Sequence, residues 1–73
     1  MEIIPRYKVG DLLYYKHPMD NFSVFGRIIR ITDTYYIIKW DIGSITENPF
    51  EGIDNDMCTR IASSTEIILY GQN

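Results

Sequence analysis

Residue types that most often carry out chemistry are sparse in this chain of 73 residues. Its one histidine, His17, stands beside Pro18 with no nucleophile at a motif spacing. Its one cysteine, Cys58, has no second cysteine to pair with and is predicted to be buried rather than reactive. The sequence therefore predicts a protein that is not an enzyme.

Acidic residues gather in the second half of the chain, at Glu47, Glu51 and the run Asp54-Asn55-Asp56. They lack the spacing of a calcium-binding loop, with its central glycine and terminal glutamate. No cluster of cysteine and histidine offers a zinc site, and no glycine-rich loop could cradle a phosphate. We expect a solvated acidic loop, no metal and no cofactor.

Aromatic and cationic side chains are the remaining groups with a binding chemistry. Residues 1–40 hold six cations and four acids, whereas residues 41–73 hold one cation and six acids. The two parts therefore carry net charges of +2 and −5, which give −3 overall. An acidic chain lacks the dense basic footprint on which most duplex-binding proteins rely.

The size of the chain allows one domain, residues 1–73, with one small core. Thirteen isoleucines and ten aromatic residues favour pleated strands. Neither a disulfide nor a metal can assist so small a core, so a homodimer is one expected source of added stability.

The first residues, Met1 to Pro5, lack the charged start, apolar run and cleavage site of a signal peptide. No stretch approaches the roughly 18 apolar residues of a membrane span, and a lone cysteine suits a reducing compartment. These features predict a cytoplasmic protein with no membrane partner.

The central segment is predicted to be a β-hairpin, with strands at residues 22–31 and 35–41. A two-residue turn at Asp33 and Thr34 would place Ile31 opposite Tyr36. The alternation of side chains then puts Tyr36, Ile38 and Trp40 on one face of the second strand.

The first strand of this hairpin fits only with a bulge at Ile29 and Arg30. The inward-facing pairs are then Ile31–Tyr36, Ile28–Ile38 and Gly26–Trp40. A glycine opposite the tryptophan would leave room for the indole ring. A bulge of this kind also bends a sheet towards closure.

Three further strands are expected. Residues 12–16 form the first, with Leu13 and Tyr15 inward, and residues 67–70 form the last, after a tight turn at residues 63–65. Residues 57–62 fit a strand or a short helix, and we favour the strand because a barrel needs one there. Residues 43–56 are expected to form an irregular loop.

Three segments resemble the Tudor-type SH3-like barrel: Val9-Gly10-Asp11-Leu12-Leu13-Tyr14-Tyr15, Phe25-Gly26-Arg27-Ile28-Ile29-Arg30-Ile31 and Tyr36-Ile37-Ile38-Lys39-Trp40-Asp41. The resemblance covers residues 9–43 and implies an all-β fold, a single small five-stranded SH3-like/Tudor-like barrel.

Tudor-type readers hold methylated lysine or arginine in an aromatic cage through cation–π attraction. Carried over by position, the resemblance implies a cage built from Tyr15, Phe25, Trp40 and Asp41, with His17 as a further candidate. The turn at residues 42–44 departs from the pattern, since a reader has a further aromatic residue and an asparagine there. The implied cage is incomplete.

The predicted outer face of the sheet carries apolar side chains, from Tyr14, Ile29, Tyr35 and Ile37. Neighbouring apolar residues on one face make a patch, and a patch rimmed by cations suits a protein interface. The cations at this rim are Arg27, Arg30 and Lys39. The alternative is that residues 43–56 fold back and cover the patch.

We therefore expect a small protein-interaction module that binds a partner protein through this sheet face and the acidic loop. Its size suits an adaptor, inhibitor or regulator of the kind that phage or bacterial accessory genes encode. An alternative is binding of single-stranded nucleic acid or a nucleotide, by stacking on aromatic residues. These residues are Tyr14, Phe22, Phe25, Tyr35 and Trp40. A second alternative is methyl-ligand reading by the partial cage.

Overall fold

A computed structural model describes residues 4–71 of the chain. Five strands form one antiparallel sheet in the order β4-β3-β2-β1-β5. They are β1 (Leu12–Lys16), β2 (Ser23–Ile31), β3 (Tyr35–Trp40), β4 (Ile45–Pro49) and β5 (Thr59–Ile61). Helix α1 (Phe50–Asp54) joins β4 to β5, and helix α2 (Ser64–Gly71) follows β5. The expected all-β class is confirmed, and β4 and β5 are the two edges of a sheet that is not closed.

The hairpin of β2 and β3 has the predicted register. Gly26 pairs with Trp40, Ile28 with Ile38 and Ile31 with Tyr36. The register shifts between Ile28 and Arg30, so Ile29 is the extra residue of the predicted bulge. The Thr32 N–H donates to the carbonyl of Tyr35 at 2.9 Å and closes the turn.

Close packing around Gly26 leaves no room for a larger residue at this position. A Cβ atom at this position would lie 2.6 Å from both the Ile38 Cγ2 and the Trp40 Cε3 atoms. Both neighbours belong to the strand opposite, so the larger side chain would have to push β2 and β3 apart. The predicted pairing of this glycine with the indole is confirmed.

The core lies on one side of the sheet, which we call the inner face. Leu13, Ile28, Tyr36 and Ile38 are fully buried there. The other buried members of this cluster come from outside the three central strands: Tyr7, Phe50 and Ile53. The N-terminal segment and α1 therefore close the core from the side opposite the sheet.

The segment expected to be an irregular loop, residues 43–56, contains β4 and α1. Its β4 strand pairs along the whole length of β3, from Lys39 opposite Ile45 to Tyr35 opposite Pro49. Phe50 and Ile53 pack into the inner-face core, so this segment does not cover the outer face. The inward-facing residues of β4, Thr46 and Asn48, are more buried than their neighbours. Because they are polar, the sequence shows no apolar alternation here.

Of the two strands predicted for the end of the chain, one is confirmed and one is wrong. Residues 59–61 form the expected strand beside β1, but residues 67–70 lie in α2 instead of a last strand. The Ser63 N–H donates to Glu66 Oε1 at 2.8 Å, and the Glu66 N–H donates to Ser63 Oγ at 3.2 Å. This reciprocal pair is a capping box, so a helix begins at the segment that was predicted to be a tight turn.

Candidate functional site

The side of the sheet opposite the core, which we call the outer face, presents a mixed apolar and cationic surface. Alternation along β2, β3 and β4 places these side chains on it. They are Arg27, Ile29, Arg30, Tyr35, Ile37, Lys39, Ile45 and Glu47. Six of them were predicted for this face, whereas Ile45 and Glu47 belong to the strand that the sequence reading missed.

The bulge in β2 gives this face one side chain more than a regular strand would. Both Ile29 and Arg30 are exposed, whereas Ile28 before them is fully buried. A regular alternation would have turned one of the two inward. The bulge therefore places an apolar and a cationic side chain next to each other on the outer face.

The apolar part of the outer face is large for so small a sheet. Ile29, Tyr35 and Ile45 are 42%, 40% and 58% exposed. Ile37 is half-buried among them, opposite Arg30 on one side and Glu47 on the other. Single exposed apolar residues are ordinary, but four on adjoining strands form a patch.

The charges on this face differ from those of the whole chain. Arg27 lies opposite Lys39 across the β2–β3 ladder, and a groove of about 750 Å³ runs past both of them. Ile29, Asp41 and Tyr70 also line this groove. This surface carries three exposed cations and two carboxylates, Asp41 and Glu47, so its net charge is +1, whereas the chain as a whole has a net charge of −3. The face therefore suits a partner surface with acidic residues around an apolar centre.

Tyr14, predicted for the same patch, lies in a separate aromatic cluster. Its ring meets Phe25 edge-on at a centroid distance of 5.2 Å, and Phe25 in turn meets Tyr70 of α2 at 5.4 Å. The Arg60 guanidinium lies 4.6 Å from the centre of the Tyr14 ring. The chain itself therefore covers part of the Tyr14 and Phe25 rings, which are two of the candidate platforms for stacking bases.

A second concave site, the end pocket, lies on the inner face between the two edges of the sheet. It encloses about 290 Å³. Its lining comes from all five strands, from α1 and from the segments next to β2, β3 and β5: Tyr15, Phe22, Val24, Trp40, Ile42, Ser44, Thr46, Asn48, Ile53, Asp56 and Thr59. The three aromatic side chains make it predominantly apolar.

The end pocket contains two of the four residues implied for an aromatic cage. Tyr15 and Trp40 line it. Phe25 lies instead in the aromatic cluster with Tyr14 and Tyr70, and the Asp41 carboxylate accepts the Phe25 N–H at 3.3 Å. Phe22 supplies the third ring instead. Phe22 could have been found from the alternation, because Val24 and Gly26 on the same strand also face inward.

Hydrogen bonds fix the polar groups of the end pocket. The Trp40 indole N–H donates to Thr46 Oγ1 at 2.8 Å, and the Thr46 hydroxyl donates to Asn48 Oδ1 at 2.6 Å. Each Asp56 carboxylate oxygen already accepts a bond at 2.9 Å, from the Cys58 N–H and from the Thr59 hydroxyl. Because aromatic and aliphatic side chains make up most of its exposed lining, the pocket suits an apolar side chain.

Tyr36 is a fully buried titratable group in the core. Its hydroxyl donates to Asp54 Oδ1 at 2.7 Å and accepts the Tyr7 N–H at 3.1 Å. Burial raises the pKa of Tyr36 to about 12, and the Asp54 carboxylate adds to this effect. The hydroxyl ties α1 and the N-terminal segment to β3, which is a structural role.

The remaining candidates for chemistry, His17 and Cys58, both line an open concave site of about 530 Å³ at the end of β1, together with Lys16 and Arg60. His17 Nδ1 accepts the N–H groups of Met19 and Asp20 in the loop after β1, and Cys58, expected to be buried, is half-buried. Within residues 4–71, no three side chains of the metal-ligating types come together. The same part of the chain has no helix long and apolar enough to cross a membrane.

One further charged contact shapes the end of the chain. Arg60 and Glu66 form a bidentate ion pair with distances of 2.7 and 2.8 Å. The guanidinium lowers the pKa of Glu66 to about 2, and the Ser63 N–H acts in the same direction. This pair holds the start of α2 against β5.

Comparison with family models, with curated proteins and with solved structures gives no match for this chain.

Proposed function

We propose that the chain is a non-enzymatic protein-interaction module, acting as an adaptor, inhibitor or regulator, that binds a partner protein through the outer face of its sheet. One observation carries this proposal. Ile29, Tyr35 and Ile45 remain 40–58% exposed on the face that carries Arg27, Arg30 and Lys39, while the core is complete on the other side.

The arrangement has the anatomy of an interface. Apolar and aromatic residues at the centre of an interface supply most of the binding energy once water is excluded. Cations at the rim speed association with an acidic partner and fix its orientation. The partner is therefore a protein whose surface places Asp or Glu side chains around an apolar protrusion. The expected contribution of the acidic loop reduces to Glu47, which lies on the outer face.

The resemblance of residues 9–43 to Tudor-type SH3-like barrels supports the same class of function. A bulged β2 and a β5 that returns beside β1 fit an open form of such a barrel. Small barrels of this type carry many unrelated sites, so the proposal rests on the face and not on the fold.

Nucleic-acid binding receives less support from the geometry. Stacking needs exposed rings close to the cations that meet phosphate. Tyr14 and Phe25 are half-buried against other parts of the chain, and Phe22 and Trp40 line the opposite side of the sheet. Tyr35 is the one remaining candidate on the face that carries the cations.

A photo-crosslinking experiment tests the proposal in cells. A benzophenone amino acid replaces Ile29 on the outer face, and a matched variant carries it at Glu51, which is exposed on α1. We expect a discrete protein adduct from position 29 and none from position 51. A nucleic-acid adduct, or the same adducts from both positions, would contradict an outer-face protein interface.

The captured partner then allows a test of the charges. Arg30→Glu should weaken its binding at least about tenfold, which corresponds to about 1.4 kcal/mol. Lys16→Glu makes the same charge change at the exposed end of β1, away from the groove, and should change the affinity less than about twofold. Equal losses in the two variants would show that net charge, and not this face, determines binding.

A further inference from the structure

The two edges of the sheet differ in what their backbone groups bind. An edge strand exposes a row of N–H and C=O groups that can pair with another strand. In an antiparallel ladder, alternate residues of an edge strand direct these groups inward to the neighbouring strand and outward to solvent. The outward groups of β5 and β4 can therefore be compared directly.

Two of the four outward backbone groups of β5 are occupied by the chain itself. The Ala62 N–H donates to Leu12 and the Lys16 N–H donates to Cys58, so Thr59 and Ile61 are the outward residues. The Thr59 N–H donates to the carbonyl of Asp56 at 3.2 Å. The Ile61 carbonyl accepts a bond from Arg60 at 3.1 Å.

The outward groups of β4 have no such partners. The Trp40 N–H donates to Ser44 at 2.8 Å and the Phe50 N–H donates to Thr34 at 3.1 Å, which fixes the alternation. Residues 44, 46, 48 and 50 thus direct their backbone groups to β3, and Ile45 and Glu47 direct theirs away. Within residues 4–71, the N–H and C=O groups of Ile45 and Glu47 make no hydrogen bond.

We infer that β4 is a docking edge that accepts an extended segment of a partner protein as an additional strand, with one large apolar side chain of that segment seated in the end pocket. The free backbone groups specify the form of the ligand, because alternating donors and acceptors in a row match a β-strand. An apolar surface alone would not make that distinction.

The end pocket supplies the side-chain specificity. Thr46 and Asn48 face inward from β4 and both line the pocket. Side chains directly opposite on an added strand would lie about 5 Å from them, which brings every second side chain of the ligand to the pocket mouth. Behind that mouth lie the rings of Tyr15, Phe22 and Trp40. A leucine or an aromatic residue at one of these positions would bury its side chain against them.

A second copy of the chain fits this edge less well. Its β4 would present Thr46 and Asn48 towards the pocket, and neither side chain is apolar. Pro49 has no N–H, so any added strand finds the free donors of this edge at Ile45 and Glu47. The inference commits to a different protein that supplies an extended apolar segment. It does not rest on the outer face, because the docking edge uses the backbone groups of Ile45 and Glu47, whereas the outer face uses their side chains.

Selection from a random-peptide display library identifies ligands for this edge. The selected peptides should favour β-branched residues and carry a leucine or an aromatic residue at one fixed position. Selection of lysine or arginine at that position would overturn the assignment of the pocket to an apolar side chain. A failure to enrich any sequence over a Glu47→Pro variant would overturn the docking edge itself.

The strongest peptide is then made synthetically with single N-methyl groups along its backbone. A methyl group on an amide nitrogen removes the donor, so alternate positions should lose about fivefold or more in affinity while the positions between them lose little. A uniform response along the peptide would show that it does not bind as a strand. This readout needs no change in the protein.

A matched pair of variants tests the edge from the side of the protein. Glu47→Pro removes an outward N–H without removing a bond to β3, and Glu47→Thr keeps that N–H while it removes the same charge. We expect at least about a fivefold loss of peptide affinity for proline and less than about twofold for threonine. Circular dichroism verifies that both variants are folded, and if the proline variant is not, the N-methyl series decides alone.

Two further measurements separate the other occupants of this edge. Sedimentation of the protein without peptide should give a monomer, and a dimer that Glu47→Pro dissociates would assign the edge to a second copy. Arg30→Glu on the outer face should leave peptide affinity unchanged. Loss of peptide binding in that variant would place the peptide on the outer face and overturn the inference.

Discussion

The two faces of the sheet are made by the same strands and the same residue types, yet their side chains have opposite fates. Ile28, Tyr36 and Ile38 on the inner face are fully buried. Ile29, Tyr35 and Ile45 on the outer face are 40–58% exposed. The difference teaches that stability and binding are separated across the thickness of one sheet. Substitutions at neighbouring positions should therefore have very different consequences.

The largest effect is expected at Gly26, where the inner face has no spare room. Gly26→Ala adds a Cβ atom 2.6 Å from Ile38 and Trp40 and should lower the free energy of unfolding by about 2 kcal/mol or more. Gly52→Ala adds the same atom in α1, at an ordinary contact distance of 3.9 Å from the Pro49 Cδ atom, and should be neutral or stabilising. Urea denaturation of both variants measures the contrast, and equal midpoints would refute the close packing.

A smaller loss is expected when the inner face loses one hydroxyl. Tyr36→Phe leaves the Tyr7 N–H and the Asp54 carboxylate without their partner, at a cost of about 1–2 kcal/mol. Tyr35→Phe removes the same atom from the outer face and should change the free energy of unfolding by less than about 0.5 kcal/mol. Similar losses in the two variants would remove the distinction between the faces.

The same residue gives the protein an alkaline limit. Because the pKa of Tyr36 is raised from 10.0 to about 12, its contribution to stability is complete below pH 10 and is lost as the pH rises to about 12. Tyr36→Phe should abolish this part of the pH dependence. Denaturation at a series of pH values measures it, and an unchanged slope in the variant would assign the alkaline transition to other groups.

The N-terminal cap of helix α2 allows a further comparison of stability, at one corner of the outer face. Ser63→Ala removes the hydroxyl that accepts the Glu66 N–H and should cost about 1 kcal/mol, whereas Ser64→Ala removes a hydroxyl one residue later and should cost less. Amide hydrogen exchange should speed up in α2 and remain slow in β3. Faster exchange throughout the sheet would show that α2 belongs to the core.

The smallest effect on stability is expected at the centre of the outer face. Ile37→Thr keeps a β-branched residue in β3 and should cost less than about 1 kcal/mol, whereas Ile38→Thr on the inner face should cost about 2 kcal/mol or more. Threonine is preferable to glutamate at position 37, because Glu47 lies directly opposite. Thermal melts decide, and a similar loss at both positions would mean that the outer face also belongs to the core.

The part of the fold that could be predicted is the part in which one register satisfies several constraints at once. The hairpin needed Gly26 opposite Trp40, a two-residue turn, and apolar side chains on one face, and a single bulge met all three. Residues 44–71 carried weaker signals. Polar residues made the alternation of β4 inconspicuous, and the capping box at Ser63 was misread because serine is also common in turns.

The candidate sites were predictable to different degrees. The outer face follows from the register of one hairpin, so six of the seven residues proposed for it lie together. The end pocket joins segments as distant as Tyr15 and Asp56, whose positions depend on how β4 and α1 pack. The implied aromatic cage is wrong at Phe25 for a simpler reason. Alternation along β2 places Phe25 on the same face as Arg27, opposite the face of Gly26.

The unequal edges of the sheet also determine how this protein can associate with others of its kind. Aggregation by edge-to-edge pairing needs two open ends on every molecule, because each unit must both receive a strand and offer one. Here β5 is three residues long, and two of its four outward backbone groups, the Thr59 N–H and the Ile61 carbonyl, are already bound, so β4 offers an added strand more free groups than β5 does. Such a unit behaves as a chain terminator in a polymerisation. Growth through the sheet is therefore expected to stop at a pair, which disfavours a fibre.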